Sequence, residues 1–279
     1  MLEENISAGS SQSQSNLLPE SQEIPTVKQL MEQNHPPWSS ISFGCRALDQ
    51  LLNGGLPRRG ISELFGESAS GKSQICMQLA VTAQLPPDRG GTGKGVVYFT
   101  TTAGRFPTER LFAIIQAVQE RYPDVKREFM SNIFIQSRIE INGLLHCIQN
   151  EFQDFLKTHQ IGLVIVDSMG IFRSERETSA RAKFIRSFAI SLLQLAEKHG
   201  FSVLCVNEVV SIPGHSNVFP SLGLAWANLV VTRLQVARTE RTTQTGDIVR
   251  TVSVMQTPEI SLDSAEFIVT SKGIYDIST

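Results

Sequence analysis

The stretch that most limits what this chain can become is Ile61 to Gln74, where a short apolar run ending in Phe65 passes without a break into Gly66-Glu67-Ser68-Ala69-Ser70-Gly71-Lys72-Ser73. The spacing Gly-x-x-x-x-Gly-Lys-Ser is a complete phosphate-binding loop, and it requires a β-strand before it and a helix after it. Its glycines let backbone N–H groups wrap the α- and β-phosphates, Lys72 is placed to reach the β- and γ-phosphates, and Ser73 can offer its hydroxyl to Mg²⁺. The helix opening near Lys72 adds the positive end of its dipole. Gly66, Glu67, Ser68, Ala69, Ser70, Gly71, Lys72, Ser73 and Gln74 are therefore the expected ATP-binding residues, with Mg²⁺ as the accompanying ion.

The same strand-then-helix alternation repeats downstream. A helix is expected from about Lys72 to Gln84, with Ile75, Met77, Leu79 and Ala83 facing a sheet on one broad side, and Pro86-Pro87 ends it. Val96 to Phe99 predicts a strand, Phe106-Pro107 a helix start, and Ile133 to Ile135 another strand. From about Asn142 to His159, Leu144, Leu145, Ile148, Phe152, Phe155 and Leu156 form a helical core stripe at i, i+4, i+8 spacing. Leu163 to Val166 is a fourth apolar strand, followed by a helix from about Ser179 to Lys198 and the strand Val203 to Val206. Such strands imply right-handed crossovers and a parallel sheet covered on both faces. Beyond residue 224, Leu229 to Val236, Val249 to Met255 and Phe267 to Val269 read as strands adding an antiparallel end. Asp167 closes an aliphatic strand, the position of a carboxylate that holds Mg²⁺ through water opposite Ser73.

Charge narrows the partners. With 25 Lys and Arg against 27 Asp and Glu, the net charge of −2 gives no overall basic bias, so any DNA contact must be local. No apolar run reaches eighteen residues and the N-terminus carries no signal-peptide pattern, so membrane insertion and secretion are unsupported. Cys45, Cys76, Cys147 and Cys205 stand far apart and read as reduced, mostly buried thiols of a cytosolic or nuclear protein. Residues 1–37 are rich in Ser, Gln, Asn, Glu and Pro and read as a flexible tail, with one short helix around Val27 to Met31; it is a solvated linker or a docking segment. Residues 38–279 make one domain.

Longer blocks carry a family resemblance. Ile41 to Glu67, with Gly44, Leu48, Asp49, Leu52, Gly54, Gly55, Gly60 and Glu63 in place, resembles the ATPase core of the eukaryotic RecA-type DNA recombinases. So do Phe106 to Leu111, Val164 to Ser168, Ser179 to Arg181, Asn207 to Val210 and Gly223 to Asn228. The last block, with Gln84-Leu85-Pro86 and Gly90-Gly91, is most similar to the X-ray-repair cross-complementing paralogues of that family. The resemblance implies a RecA-like α/β fold with a mostly parallel central sheet, helices on its flanks and antiparallel C-terminal strands. It further implies ATP and Mg²⁺ as ligands, other recombinase paralogues as partners in a hetero-oligomer with ATP at the interface, and single-stranded or branched DNA as the surface of action. Its setting would be the nucleus, also the cytoplasm, in mitotic or meiotic repair. Arg110 matches the adenine-stacking arginine, a planar cation suited to a purine face, and Pro258 the proline that caps adenine from a neighbouring protomer. The two DNA-facing loops would fall near 170–180 and 209–223; the first supplies Arg173 and Arg176 and leads to Arg181, while in the second His215 and Phe219 serve loop packing or base stacking.

Two positions depart from the family. Its catalytic glutamate would fall at Thr102, which cannot act as a carboxylate base, and Glu208 replaces a glutamine that senses the γ-phosphate. Glu208 is then either a relocated base or a carboxylate that repels the phosphate. The chain also lacks room for the recombinases' helical N-terminal DNA-binding domain, and residues 1–40 hold no Phe-x-x-Ala self-assembly motif. Two readings stay open: an ATP-binding recombinase paralogue with weak hydrolysis, or an active DNA-dependent ATPase that exchanges strands itself. A P-loop small-molecule kinase is disfavoured by the long segment before the loop and the terminal antiparallel strands.

Overall fold

A computed structural model describes residues 40–102, 104–138, 140–211, 218–258 and 260–277. The expected tail over 1–37, with its helix at Val27 to Met31, and His215 lie outside these residues. The elements run β1 (Ser40–Ile41), α1 (Arg46–Leu51), β2 (Leu56–Pro57), β3 (Ile61–Phe65), α2 (Lys72–Thr82), β4 (Gly95–Thr100), α3 (Thr108–Arg121), β5 (Ile133–Ser137), α4 (Ile141–His146), a π-helical turn (Cys147–Glu151) and α5 (Phe152–Thr158). Then follow β6 (Ile161–Asp167), a 3₁₀ segment (Met169–Ser174), α6 (Thr178–His199), β7 (Ser202–Asn207), β8 (Val209–Ser211), β9 (Val218–Pro220), α7 (Gly223–Ala227), β10 (Val230–Thr242), β11 (Ile248–Gln256), β12 (Ser264–Thr270) and β13 (Gly273–Tyr275).

The main sheet has the order β13-β12-β11-β10-β3-β7-β6-β4-β5. The strands from β10 through β5 are parallel, and β11, β12 and β13 complete the sheet antiparallel. The strand expected over Leu229 to Val236 is thus parallel to β3, and the antiparallel end begins one strand later than its sequence position implied. Alternate strand residues build two cores, as a two-sided sheet demands. Leu64, Tyr98, Ile165, Leu204, Leu234 and Val252 lie under α1, α2 and α3, whereas Ile61, Val97, Val164, Val203 and Val230 meet α4, α5, α6 and α7.

Helix α2 is buried on every side from Ile75 to Thr82. The one-sided burial expected of it fails because α3 and β13 cover the face turned away from the sheet. The helix expected from Asn142 to His159 is interrupted by the π turn, and its apolar spacing gives the reason. Leu144, Ile148, Phe152 and Leu156 recur every four residues, which drifts about 40° per step on an α-helix of 3.6 residues per turn. A π turn, with i→i+5 bonding, takes up that drift so that all four stay buried. All four cysteines are buried free thiols, and burial, first among the causes, pushes Cys45 up to about 12.

The chain closes on itself through Asp276. Helix α1 begins at Cys45 with no side-chain cap of its own; Asp276 Oδ1 accepts from Ala47 N at 2.7 Å and Oδ2 from Arg46 N at 3.0 Å. Burial alone would raise this carboxyl, but the two N–H donors outweigh it and hold it below the usual carboxylate range. Asp276→Ala is expected to cost about 1 kcal/mol in urea unfolding at neutral pH. Because the folded carboxyl is depressed, the difference between variant and parent should be full above about pH 4 and shrink as the pH falls further. An equal difference at low pH would contradict the cap.

Candidate nucleotide-binding site

The loop after β3 turns where glycine permits. Gly71 sits at φ +116°, a conformation that side chains with a Cβ rarely adopt, and Gly66 lies so close to β10 that a Cβ there would stand 2.1 Å from the Val236 carbonyl oxygen. The loop delivers Lys72 and Ser73 to the first turn of α2. Lys72 Nζ donates to the carbonyls of Gly66 and Glu67 at 2.8 and 2.7 Å. Burial lowers its pKa, while Asp167, Cys76, Glu208 and Glu67 pull the other way. Ser73 Oγ donates to Asp167 Oδ2 at 2.8 Å, and the buried Tyr98 hydroxyl donates to the same oxygen at 2.7 Å. Burial pushes the Tyr98 phenol well above its ordinary value, so it remains a donor.

A cavity of about 410 Å³ opens beside this loop, lined by Ala69, Gly71, Lys72, Ser73, Gln74, Arg110, Arg250, Val269 and Thr270. Arg110 is held by the Gln74 side chain at 2.6 Å, by the Thr270 carbonyl at 2.7 Å and by the Ser271 carbonyl. The structure thus brings Arg110 into one cavity with Ala69 and the residues Gly71 to Gln74, whereas Ser70 is buried and Pro258 stands exposed after β11, and neither lines it.

At the rim beside the cavity, Thr101 is buried and bonds Ser168 through both N–H and carbonyl, tying the ends of β4 and β6; Thr102 is exposed. Glu208, just past β7, pairs with Arg173 of the 3₁₀ segment at 2.6 Å. Both side chains are nearly half exposed, 46% and 49%, so this pair holds by about 1 kcal/mol or less. Arg176 is exposed, and Arg181 Nη1 donates to the Glu175 carbonyl at 3.3 Å. The second loop contains a feature not expected from sequence, the antiparallel pairing of β8 with β9, in which Phe219 lies opposite Val210.

Below the rim lies Glu63, fully buried in β3. Its Oε1 accepts from Asn207 Nδ2 at 2.7 Å and Trp226 Nε1 at 2.6 Å, and its Oε2 from Arg233 Nε at 2.5 Å. Asn207 in turn accepts from Ser221 Oγ and from Glu208 N. One carboxylate therefore fastens the loop-bearing strand to β10, to α7 and to the start of the Glu208 segment. Sequence reasoning used Glu63 only as part of a family block, because its partners are far away in the chain. Arg250 and Tyr98 were also missed as site residues. The signal for Arg250 is legible after the fact: it shares the inward face of β11 with Val252 and Val254.

A strand, a glycine-bent loop, a half-buried lysine and a hydroxyl–carboxylate pair between the helix start and the end of β6 define a P-loop nucleotide-binding core of the RecA-like class. The chain belongs to the Rad51 family, whose pattern it matches over residues 38–277. It is similar to the mouse DNA repair protein XRCC3, at 33% identity over 260 residues covering 84% of this chain and 74% of that protein. The archaeal DNA repair and recombination protein RadA of Metallosphaera sedula is 34% identical, covering 88% and 75%, and the DNA repair protein rhp57 of Schizosaccharomyces pombe 30%, covering 84% and 78%. ATPases of this family use ATP with Mg²⁺. No helix among the described residues is long and apolar enough to cross a membrane.

Removing the carboxylate while leaving its donors is the severe case, since an unpaired buried guanidinium remains. Glu63→Ala is expected to lower the free energy of urea unfolding by about 3–5 kcal/mol. A loss below about 1 kcal/mol would mean that the network does not carry the charge as described.

Proposed function

We propose that this chain is an ATP-binding recombinase paralogue that acts in homologous recombination and double-strand break repair, in the nucleus, as a subunit of a paralogue complex on single-stranded or branched DNA. The observation that carries this reading is a P-loop cavity that keeps Lys72, Ser73 and Arg110 together, with Asp167 bonded to Ser73, while an exposed threonine, Thr102, stands where the family places its catalytic glutamate. The names of the relatives, DNA repair proteins and a DNA repair and recombination protein, support the setting.

The donor set fits the ligands. Ser73 and Asp167 offer hard oxygen atoms suited to Mg²⁺, and the loop from Gly66 to Gln74 offers backbone N–H groups and Lys72 to the phosphates. Mg²⁺ bound there would neutralise charge on the phosphate oxygens. Arg110 presents its guanidinium plane to the adenine, and the exposed Pro258 suits contact with the nucleotide of a neighbouring subunit. Tyr98 fixes the Asp167 carboxylate from behind. Without a carboxylate at 102, no side chain there can polarise an attacking water, and Glu208 is engaged by Arg173. Bound ATP then acts as a switch and as interface glue rather than as fuel. Arg173, Arg176 and Arg181 serve DNA phosphates.

Steady-state turnover with and without single-stranded DNA tests the reading. Turnover should be low in both cases, and Thr102→Glu should raise it roughly tenfold or more. Robust DNA-stimulated hydrolysis abolished by Lys72→Ala would instead establish an active ATPase. For the DNA surface, Glu208→Gln should free Arg173 and raise affinity for a single strand a few-fold. Arg173→Ala should lower that affinity and reduce the slope of log affinity against log salt by about 1. Identical slopes in Arg173→Ala and the parent would remove Arg173 from the interface.

A further inference from the structure

Two arginines meet at the edge of the nucleotide cavity. Arg238 on β10 and Arg250 on β11 are direct cross-strand partners, on the face whose deeper pairs are Val236 with Val252 and Leu234 with Val254. Like charges placed opposite each other destabilise a sheet, and this pair lies where the inward face leaves the core and reaches the phosphate-binding loop. Among the described residues neither arginine makes an ion pair. The nearby acid Asp247 accepts from Thr245 Oγ1 at 2.7 Å.

The two differ in where they point. Arg238 is exposed, whereas Arg250 lines the cavity with the loop residues. Its side chain lies against Gly71: a Cβ there would stand 3.2 Å from Arg250 Cδ and 3.5 Å from its Nε. One end nitrogen, Nη1, donates to the Ile248 carbonyl at 3.0 Å, but Nε is buried with no hydrogen-bond acceptor. A buried N–H of a cation without an acceptor is costly, so the position calls for an anionic oxygen. Burial also lowers the Arg250 pKa, with Arg238 acting in the same direction and Asp247 against it.

We propose that Arg250 is a phosphate ligand of the nucleotide, donating through its guanidinium to an oxygen of the α-phosphate. The inference rests on the nucleotide reading above. Lys72 and Ser73 serve the β- and γ-phosphates, and Arg110 with Thr270 marks the base end of the cavity. The α-phosphate lies between these two ends, where the loop N–H groups cradle it together with the β-phosphate, and Arg250 joins both regions, its side chain against Gly71 of the loop and its β11 position opposite Phe267, two residues before Val269. It contributes affinity for any adenine nucleotide whatever the number of its phosphates, which separates its role from that of Lys72.

Calorimetric titration of the full chain with ADP and with AMP tests this. Arg250→Met, which keeps the apolar stem, should weaken both ligands by roughly ten- to hundredfold, and Arg250→Lys should recover part of the loss. Lys72→Ala should weaken ADP far more than AMP. If Arg250→Met does not fold, the ³¹P spectrum of ADP bound to Arg250→Lys decides: the α-phosphorus resonance should move from its parental position while the β resonance holds. Unchanged ADP affinity in Arg250→Met, a loss confined to ADP, or an unmoved α resonance would each overturn the assignment while leaving ATP binding intact. Failure of the parent chain to bind ADP would overturn the nucleotide reading itself and the role of Arg250 with it.

Discussion

A single buried carboxylate sets the terms for this fold. Glu63 lies at the centre of a parallel sheet, where an ion can persist only if it is paired and fully hydrogen-bonded. Its three donors come from β7, from α7 and from β10, so the charge is tolerated only when these elements are all in place. The phosphate-binding loop leaves β3 two residues later, and the rim segment carrying Glu208 begins at the asparagine that Glu63 holds. A loop that must present N–H groups to an anion within tenths of an ångström needs such a mounting, because flexible connections cannot hold that geometry.

How much of this could be read from the chain depended on whether the partners were near in sequence. The phosphate-binding loop was legible because its chemistry is contiguous: the residues from Gly66 to Ser73 form one turn. Asp167 was legible because an aliphatic strand ending in an acid is a local pattern. Glu63 was not, since its donors Asn207, Trp226 and Arg233 are more than a hundred positions away and nothing local marks it as charged and buried. The direction of β10 was hidden for the same reason: an apolar alternation fixes which residues face inward, but parallel or antiparallel pairing is settled by the neighbour. The all-round burial of α2 likewise came from β13, a three-residue strand too short to announce itself.

The active rim is also a charge balance. Lys72, Asp167 and Glu208 follow or close the parallel strands β3, β6 and β7 at one edge of the sheet, Arg173 sits on the 3₁₀ segment after β6, and Arg238 with its antiparallel partner Arg250 comes from β10 and β11. The acid at 208 pairs with Arg173, and the pair lies on the surface where water keeps it exchangeable. The loop that would hold a nucleotide and the arginines at its rim thus stand side by side.

The π turn between α4 and α5 bears on the residue spacing of this segment as well as on its packing. Leu144, Ile148, Phe152 and Leu156 lie at intervals of four, one residue more over the segment than the 4-3-4 spacing of an uninterrupted α-helix. The turn therefore takes up one residue more than an uninterrupted α-helix would need between the same four apolar positions. Deletion of the exposed Asn150 would leave the apolar residues in α-helical phase and let the two helices fuse into one. The same deletion within α2, buried on every face from Ile75 to Thr82, would instead shift every later side chain of the helix inside a closed core.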